Sequence, residues 1–164
     1  MPPTLAPVER YRRRLDPTTR YGMPAHVTVL FPFLAPTALT PDVRDQLSEL
    51  FSGFEPFGFE LTEVRWFDDR VVYLAPEPAE AFRALTKAVW DRFPRCPPYE
   101  GAYDDVVPHV CVGEDAPRRL MRIAGWLARR RLPIPGRVEE VWLMTIGDPA
   151  PTYHLDQAFR LGSG

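Results

Sequence analysis

Two short apolar runs, "MPAHVTVLFPF" (23–33) and "VVPHVCVGE" (106–114), constrain this chain more than any other feature. Each carries a histidine with a small hydrogen-bonding side chain two residues on: His26 with Thr28, and His109 with Cys111. In an extended chain residues two apart share a face. His26 and Thr28 therefore lie on one face and Val27 and Val29 on the other, with Val110 and Val112 behind His109 and Cys111 in the same way. Burying an imidazole and a hydroxyl without partners is costly. One such patch reads as an ordinary satisfied core histidine. A matched pair reads as two walls of a cleft, with the valines anchoring each wall to the core.

The two runs belong to a wider internal repeat. "LAPEPAEAFRAL" (74–85) resembles "LAPVERYRRRL" (5–15), a proline-opened helix follows each histidine run, and "TEVRWF" (62–67) is answered by "EEVWLM" (139–144). The order in the second half is strand, helix, histidine strand, helix, strand. The first half has the same order, except that nothing ahead of Leu5 matches "VVY" (71–73). A sheet edge or groove is therefore expected to lie uncovered, with marginal stability or pairing to another chain as the consequence.

Helices are predicted over 7–15, 40–51, 77–93 and 116–130. Strands are predicted over 25–31, 56–67, 70–76, 105–113, 136–146 and 152–161. Thr40, Pro41 and Asp42 make a strong helix start, as cap, first position and first-turn acid. Short connections and a closing hairpin argue for an α+β fold of antiparallel or mixed sheets rather than a doubly wound parallel sheet. At 164 residues, the chain is expected to be one domain, residues 1–164, either ordinary or made of two lobes, with approximate repeats 5–67 and 71–146 and a closing strand 152–161. Phe31, Phe33, Phe51, Phe54, Phe57 and Phe59 are assigned to the core.

Composition narrows the function classes. A net charge of −2 gives no global pull on nucleic acid, so any phosphate binding must be local. No apolar run approaches a membrane span, and the N-terminal stretch has no signal-peptide core. The two cysteines, Cys96 and Cys111, offer neither a disulfide framework nor zinc-ligand spacing, so a reduced, cytoplasmic protein is expected.

Two imidazoles on opposite walls of one cleft suit an in-line displacement at phosphorus. One neutral ring takes a proton from the attacking oxygen while the other, protonated, supplies one to the leaving oxygen. Histidine suits both roles because its ordinary pKa lets both forms coexist near neutrality. Thr28, and more weakly Cys111, can donate to the non-bridging oxygens. This scheme requires no metal and no cofactor. Apart from Asp104 and Asp105 upstream of His109, no carboxylates cluster near the histidines.

"HVTV" (26–29) and "HVCV" (109–112) resemble the paired His-x-(Thr/Ser)-x motifs of the two-histidine phosphoesterase superfamily. With "PAHVTVLFPF", "YDDVVPHVCVGE" and "VEEVWLM…FRLG", the chain most resembles its bacterial 2'-5' RNA ligase-like branch, from about Leu5 to Gly162. The resemblance implies a bilobal α+β fold with pseudo-two-fold symmetry and a central cleft. It implies metal-independent chemistry on 2',3'-cyclic or 2'-5' phosphodiesters, with His26 and His109 catalytic and Thr28 and Cys111 on the phosphate. The substrate partner would be a nucleotide or RNA end. Cys111 departs from the family's Thr or Ser, and a thiol is a weaker, longer donor. It is expected to remain a thiol, since no basic residue adjoins it. That departure and the missing strand keep a second reading open, a weak or non-catalytic nucleotide- or RNA-binding module. A third, an interaction domain with incidental histidines, sits poorly with the symmetry of the motifs.

Remaining candidates carry less. Arg20 and Tyr21 precede the first motif, and Tyr99 and Tyr103 precede the second; each can reach phosphate or stack on a base, though ordinary polar loops explain them as well. "RYRRR" (10–14) and "RRR" (129–131) read as solvated helix faces, and His154 as a surface or core residue.

Overall fold

The computed structural model describes residues 5–103, 105–147 and 152–162. Helix α1, Ala6–Leu15, opens on Pro7 and buries Val8, Arg12 and Leu15, one stripe at helical spacing. After a 3-10 turn at Pro17–Tyr21 the first histidine segment follows, then α2, Pro41–Ser52. Thr40 caps α2 by accepting the Val43 amide at 3.3 Å, as predicted. Strand β1 (Phe57–Phe67) and β2 (Val71–Glu77) lead to α3 (Glu80–Arg92), β3 (Val110–Glu114) and α4 (Arg118–Arg129). The chain closes with β4 (Ile134–Val138), β5 (Glu140–Ile146) and β6 (Tyr153–Arg160). The fold is α+β with antiparallel sheets. No helix among the described residues is long and apolar enough to cross a membrane.

One sheet has the order β3-β2-β1-β4 and a second pairs β5 with β6. β2 is central, and its residues Val72–Pro76 are buried without a break, as a strand covered on both faces requires. β1, flanked by β2 and β4, instead alternates, with Phe59 and Leu61 buried and Glu60, Glu63 and Arg65 exposed. Two apolar clusters result. One joins α1 and α4 to the larger sheet through Leu5, Val8, Leu74, Val110, Val112 and Met121. The other joins Leu47 and Phe51 of α2, Leu85 and Val89 of α3, and Phe159 of β6. Gly113 lets α1 approach β3 closely: a Cβ there would lie 2.9 Å from the Leu15 Cβ.

The structure departs from the sequence-based expectations at several places. Residues 25–31 are not a strand; Val27 makes an isolated antiparallel bridge to Val110. Pro24 and Pro32 bound the segment, and neither has an N–H to extend a ladder. The predicted strand 105–113 begins at Val110, because Pro108 just ahead of it has no N–H to offer a ladder. The predicted strand 136–146 is two strands, since β4 pairs with β1 while β5 pairs with β6. The chain changes sheets at Glu139, whose carbonyl accepts the Leu161 amide at 2.9 Å.

Other corrections concern single residues. Leu74-Ala75-Pro76 lies in β2 whereas Ala6-Pro7 opens α1, so those matched triplets occupy different elements. Phe31 is 54% exposed rather than core, while Phe51 and Phe59 are buried and Phe33, Phe54 and Phe57 partly so. "RYRRR" is not wholly a solvated face, because Arg12 is 1% exposed; it shares the stripe of Val8 and Leu15. Asp104 lies outside the described residues.

Candidate active site

The Val27–Val110 bridge sets the two histidine segments side by side and antiparallel. Carried one residue either way, that register brings His26 level with Cys111 and Thr28 level with His109. The four residues lie two apart along each segment and so share a face. All four line one cleft. A two-fold axis through the bridge would exchange His26 with His109 and Thr28 with Cys111.

Both imidazoles are held in the same way. The His26 Nδ1 lies 2.7 Å from the Pro24 carbonyl, and the His109 Nδ1 lies 2.8 Å from the Val107 carbonyl. A carbonyl only accepts, so each Nδ1 carries its proton and donates it, which leaves each Nε2 free. Phe67 and Tyr73 present their rings to His109 at centroid distances of 5.0 and 5.4 Å. Burial is the main cause that lowers both histidine pKa values below the usual range. For His26 the Pro24 carbonyl and Asp16 oppose this, while Arg12 and His109 add to it. Both rings are therefore biased to the neutral form in the free protein.

A buried ionic cluster anchors the first wall. Arg12 donates to Asp16 at 3.0 and 2.8 Å, to Glu9 at 2.9 Å and to the Met23 carbonyl at 3.2 Å. The same Glu9 carboxylate accepts the Ala25 amide, which ties α1 to the residue before His26. Burial works to raise the Asp16 carboxyl, but the Thr18 hydroxyl and the Arg12 charge outweigh it and hold it low. The Cys111 thiol lies in the field of the Asp16 carboxylate. Burial first, then the Asp16 and Glu114 charges, push that thiol far above its ordinary range, so it stays protonated.

On the same segment as Thr28, the Phe31 carbonyl accepts the Tyr99 amide at 2.6 Å. Tyr99 and Glu100 both hold left-handed backbone, with φ of 50° and 57°, a strained conformation for residues with a Cβ. Tyr103 is 66% exposed, lines the cleft and meets Tyr99 edge-on at 5.6 Å. Arg20 and Tyr21 lie in the exposed 3-10 turn and are not among the residues lining the cleft. His154 is exposed on β6 and also lies apart from it. Among the described residues, no group of three or more His, Cys, Asp or Glu is placed to hold a metal.

Several residues of the site went unread in the sequence: Arg12, Asp16, Glu114, Phe67 and Tyr73. For Arg12 a signal existed, since Glu9 and Asp16 stand three before and four after it on the same helical stripe. For Phe67 and Tyr73 there was none, because they reach His109 only through the β1–β2–β3 pairing.

Residues 2–149 match the family described as the 2'-5' RNA ligase superfamily. No curated protein matches the sequence. Among solved structures, the fold is similar to that of TT0787 of Thermus thermophilus, with 18% identity and a TM-score of 0.62 over 96% of this chain and 91% of that one. It is also similar to E. coli LigT complexed with 3'-AMP, with 16% identity and a TM-score of 0.55 over 94% of this chain and 88% of that one. The apo form of LigT gives 18% identity and a TM-score of 0.53 over 95% and 91%. At these identities the likeness concerns the fold.

Proposed function

The chain belongs to the 2'-5' RNA ligase superfamily, and from that premise we propose that it is a phosphodiesterase acting on 2',3'-cyclic or 2'-5' phosphodiesters of nucleotides or RNA ends. The observation that carries this reading is the matched pair of imidazoles, each with Nδ1 bound to a carbonyl and Nε2 free, on segments joined by one bridge. The fold likeness to a protein complexed with 3'-AMP agrees with a nucleotide ligand.

In hydrolysis of a 2',3'-cyclic phosphate, one neutral Nε2 takes a proton from water as its oxygen bonds to phosphorus. The bond from phosphorus to the 3'-oxygen breaks, and the other imidazole, protonated, supplies the proton that oxygen needs. The products are a 2'-phosphate and a free 3'-hydroxyl. Microscopic reversibility exchanges the two roles when the direction reverses, so neither histidine is fixed as acid or base. Thr28 donates to a non-bridging oxygen, and Tyr103 offers a face to a base. The pair needs one proton between them, and an anionic phosphodiester supplies the charge that favours it.

A specific observation favours a weaker second reading. The donor opposite Thr28 is a thiol that burial keeps protonated, weaker and longer than a hydroxyl, as in a module that binds nucleotide with little turnover. Hydrolysis of 2',3'-cyclic nucleoside monophosphates in EDTA across pH 5–9, by the wild type and by H26A, separates the two. Chelator-insensitive turnover lost in the variant supports the enzyme; binding without turnover in the wild type supports the module.

A further inference from the structure

Helix α4 carries two faces that are both partly apolar. Met121, Ala124, Gly125 and Ala128 are buried and pack toward the larger sheet, where a Cβ on Gly125 would come 3.3 Å from Val64 and from Val72. The opposite face of such a helix is ordinarily polar. Here it exposes Leu120, Ile123 and Trp126, at 48%, 46% and 56%, spaced by three and therefore neighbours along the surface. Six arginines and no acidic residue stand between 118 and 131, all six exposed, in a chain whose net charge is −2. Arg118 and Arg119 occupy a first turn that holds no acidic residue, where the helix dipole disfavours cations. Arg118 pairs with the exposed Asp69, and the Arg130 guanidinium lies 4.8 Å from the centroid of the Trp126 ring. Helix α1 touches α4 and adds the exposed Arg10, Arg13 and Arg14.

We propose that α4 docks the protein on an anionic lipid surface. Leu120, Ile123 and Trp126 enter the boundary between headgroups and acyl chains, and the arginines around them meet lipid phosphates. Charge selects an anionic occupant, since the arginines of α4 have no acidic residue on their own helix to neutralise them. The exposed apolar line selects lipid among anionic occupants. RNA phosphates would engage the arginines yet leave Leu120 and Ile123 in water, whereas a bilayer takes both kinds of group. The site of the proposed reaction also lies elsewhere. His109 and Cys111 line the cleft, while Val110 and Val112 of the same strand pack with Met121 of α4, so an RNA end at the histidines lies across the sheet from this face. A helix surface is convex and offers a peptide no groove, but a deformable lipid interface fits it.

The test is co-sedimentation of the full chain with vesicles of phosphatidylcholine alone and of phosphatidylcholine mixed with phosphatidylglycerol. Expected is binding at least about ten-fold tighter to the mixed vesicles, weakened by added salt. W126S removes the apolar anchor and R122E the charge, both at exposed positions, and each is expected to weaken binding at least about five-fold. R83E, an exposed arginine of α3, should bind as the wild type does. Circular dichroism verifies that each variant folds. The vesicle assay needs no turnover and is independent of the phosphodiesterase reading. Absence of binding to the mixed vesicles overturns the proposal, as does binding that W126S and R122E leave intact. Two further results would overturn it by naming another occupant. Retention on single-stranded RNA, lost in R122E but not in W126S, with no vesicle binding would assign the face to nucleic acid. A dimer in solution that W126S dissociates would assign it to a second copy.

Discussion

Val27 and Val110 face one another across a single antiparallel bridge, and that pairing relates His26 to His109 by a local two-fold. Neither valine enters the proposed chemistry. They set the relative height of the two imidazoles, and the walls of the cleft follow from them.

H26A and H109A are each expected to lower kcat/KM by about 10²–10⁴-fold, with the double variant little worse than either single one, because the proposed mechanism uses the two rings as a unit. Turnover measured on a 2',3'-cyclic nucleotide, with circular dichroism to verify folding, checks this. Full activity in either single variant would remove the paired-histidine mechanism.

The pH profile follows from burial. Both histidine pKa values are lowered from 6.5, so the singly protonated pair is most populated on the acid side of that value, and kcat/KM is expected to peak there. For stability the sign is that of a depressed histidine: the unfolded chain binds the proton more tightly, so stability is present above the unfolded pKa and falls as pH drops through it. Imidazole NMR titration reads the midpoints directly, and midpoints above 6.5 in the free protein would contradict both statements.

Cys111 is expected to react with iodoacetamide at pH 8 far more slowly than a free thiol, since its pKa is raised by burial and by Asp16. C111T should increase turnover by restoring a hydroxyl donor. Mass spectrometry of the labelled peptide follows the first expectation, and kcat the second. A fast-labelling Cys111 would place the thiolate, not the thiol, in the cleft.

R12A is expected to destabilise the fold by about 3–5 kcal/mol, because it leaves the Asp16 carboxylate buried without its partner. R13A, on the exposed side of α1, should stay within about 0.5 kcal/mol of the wild type. Urea unfolding of the two variants makes the comparison, and similar losses would show that the Arg12 cluster contributes nothing particular.

Y103A is expected to raise KM for a nucleotide several-fold with kcat unchanged, as loss of a stacking surface away from the reacting atoms requires. A fall in kcat at constant KM would assign Tyr103 a different part.

Much of this protein was legible along the chain. The apolar period placed four helices and most strands, Thr40 marked the start of α2, and the two histidine motifs stood out because polar groups interrupted good core runs. Those signals are local, carried by side-chain spacing that any extended or helical segment must obey. What only the tertiary structure decided depends on partners distant in sequence. The 26–30 segment has strand composition, yet it meets the second histidine segment at a single bridge rather than a ladder. β4 and β5 read as one run but pair with different sheets. Arg12, charged and set among arginines, is buried because Glu9 and Asp16 meet it and the Met23 carbonyl closes over it. A ladder, a sheet boundary and a satisfied buried charge each need groups from at least two segments, and spacing along one segment cannot supply the second.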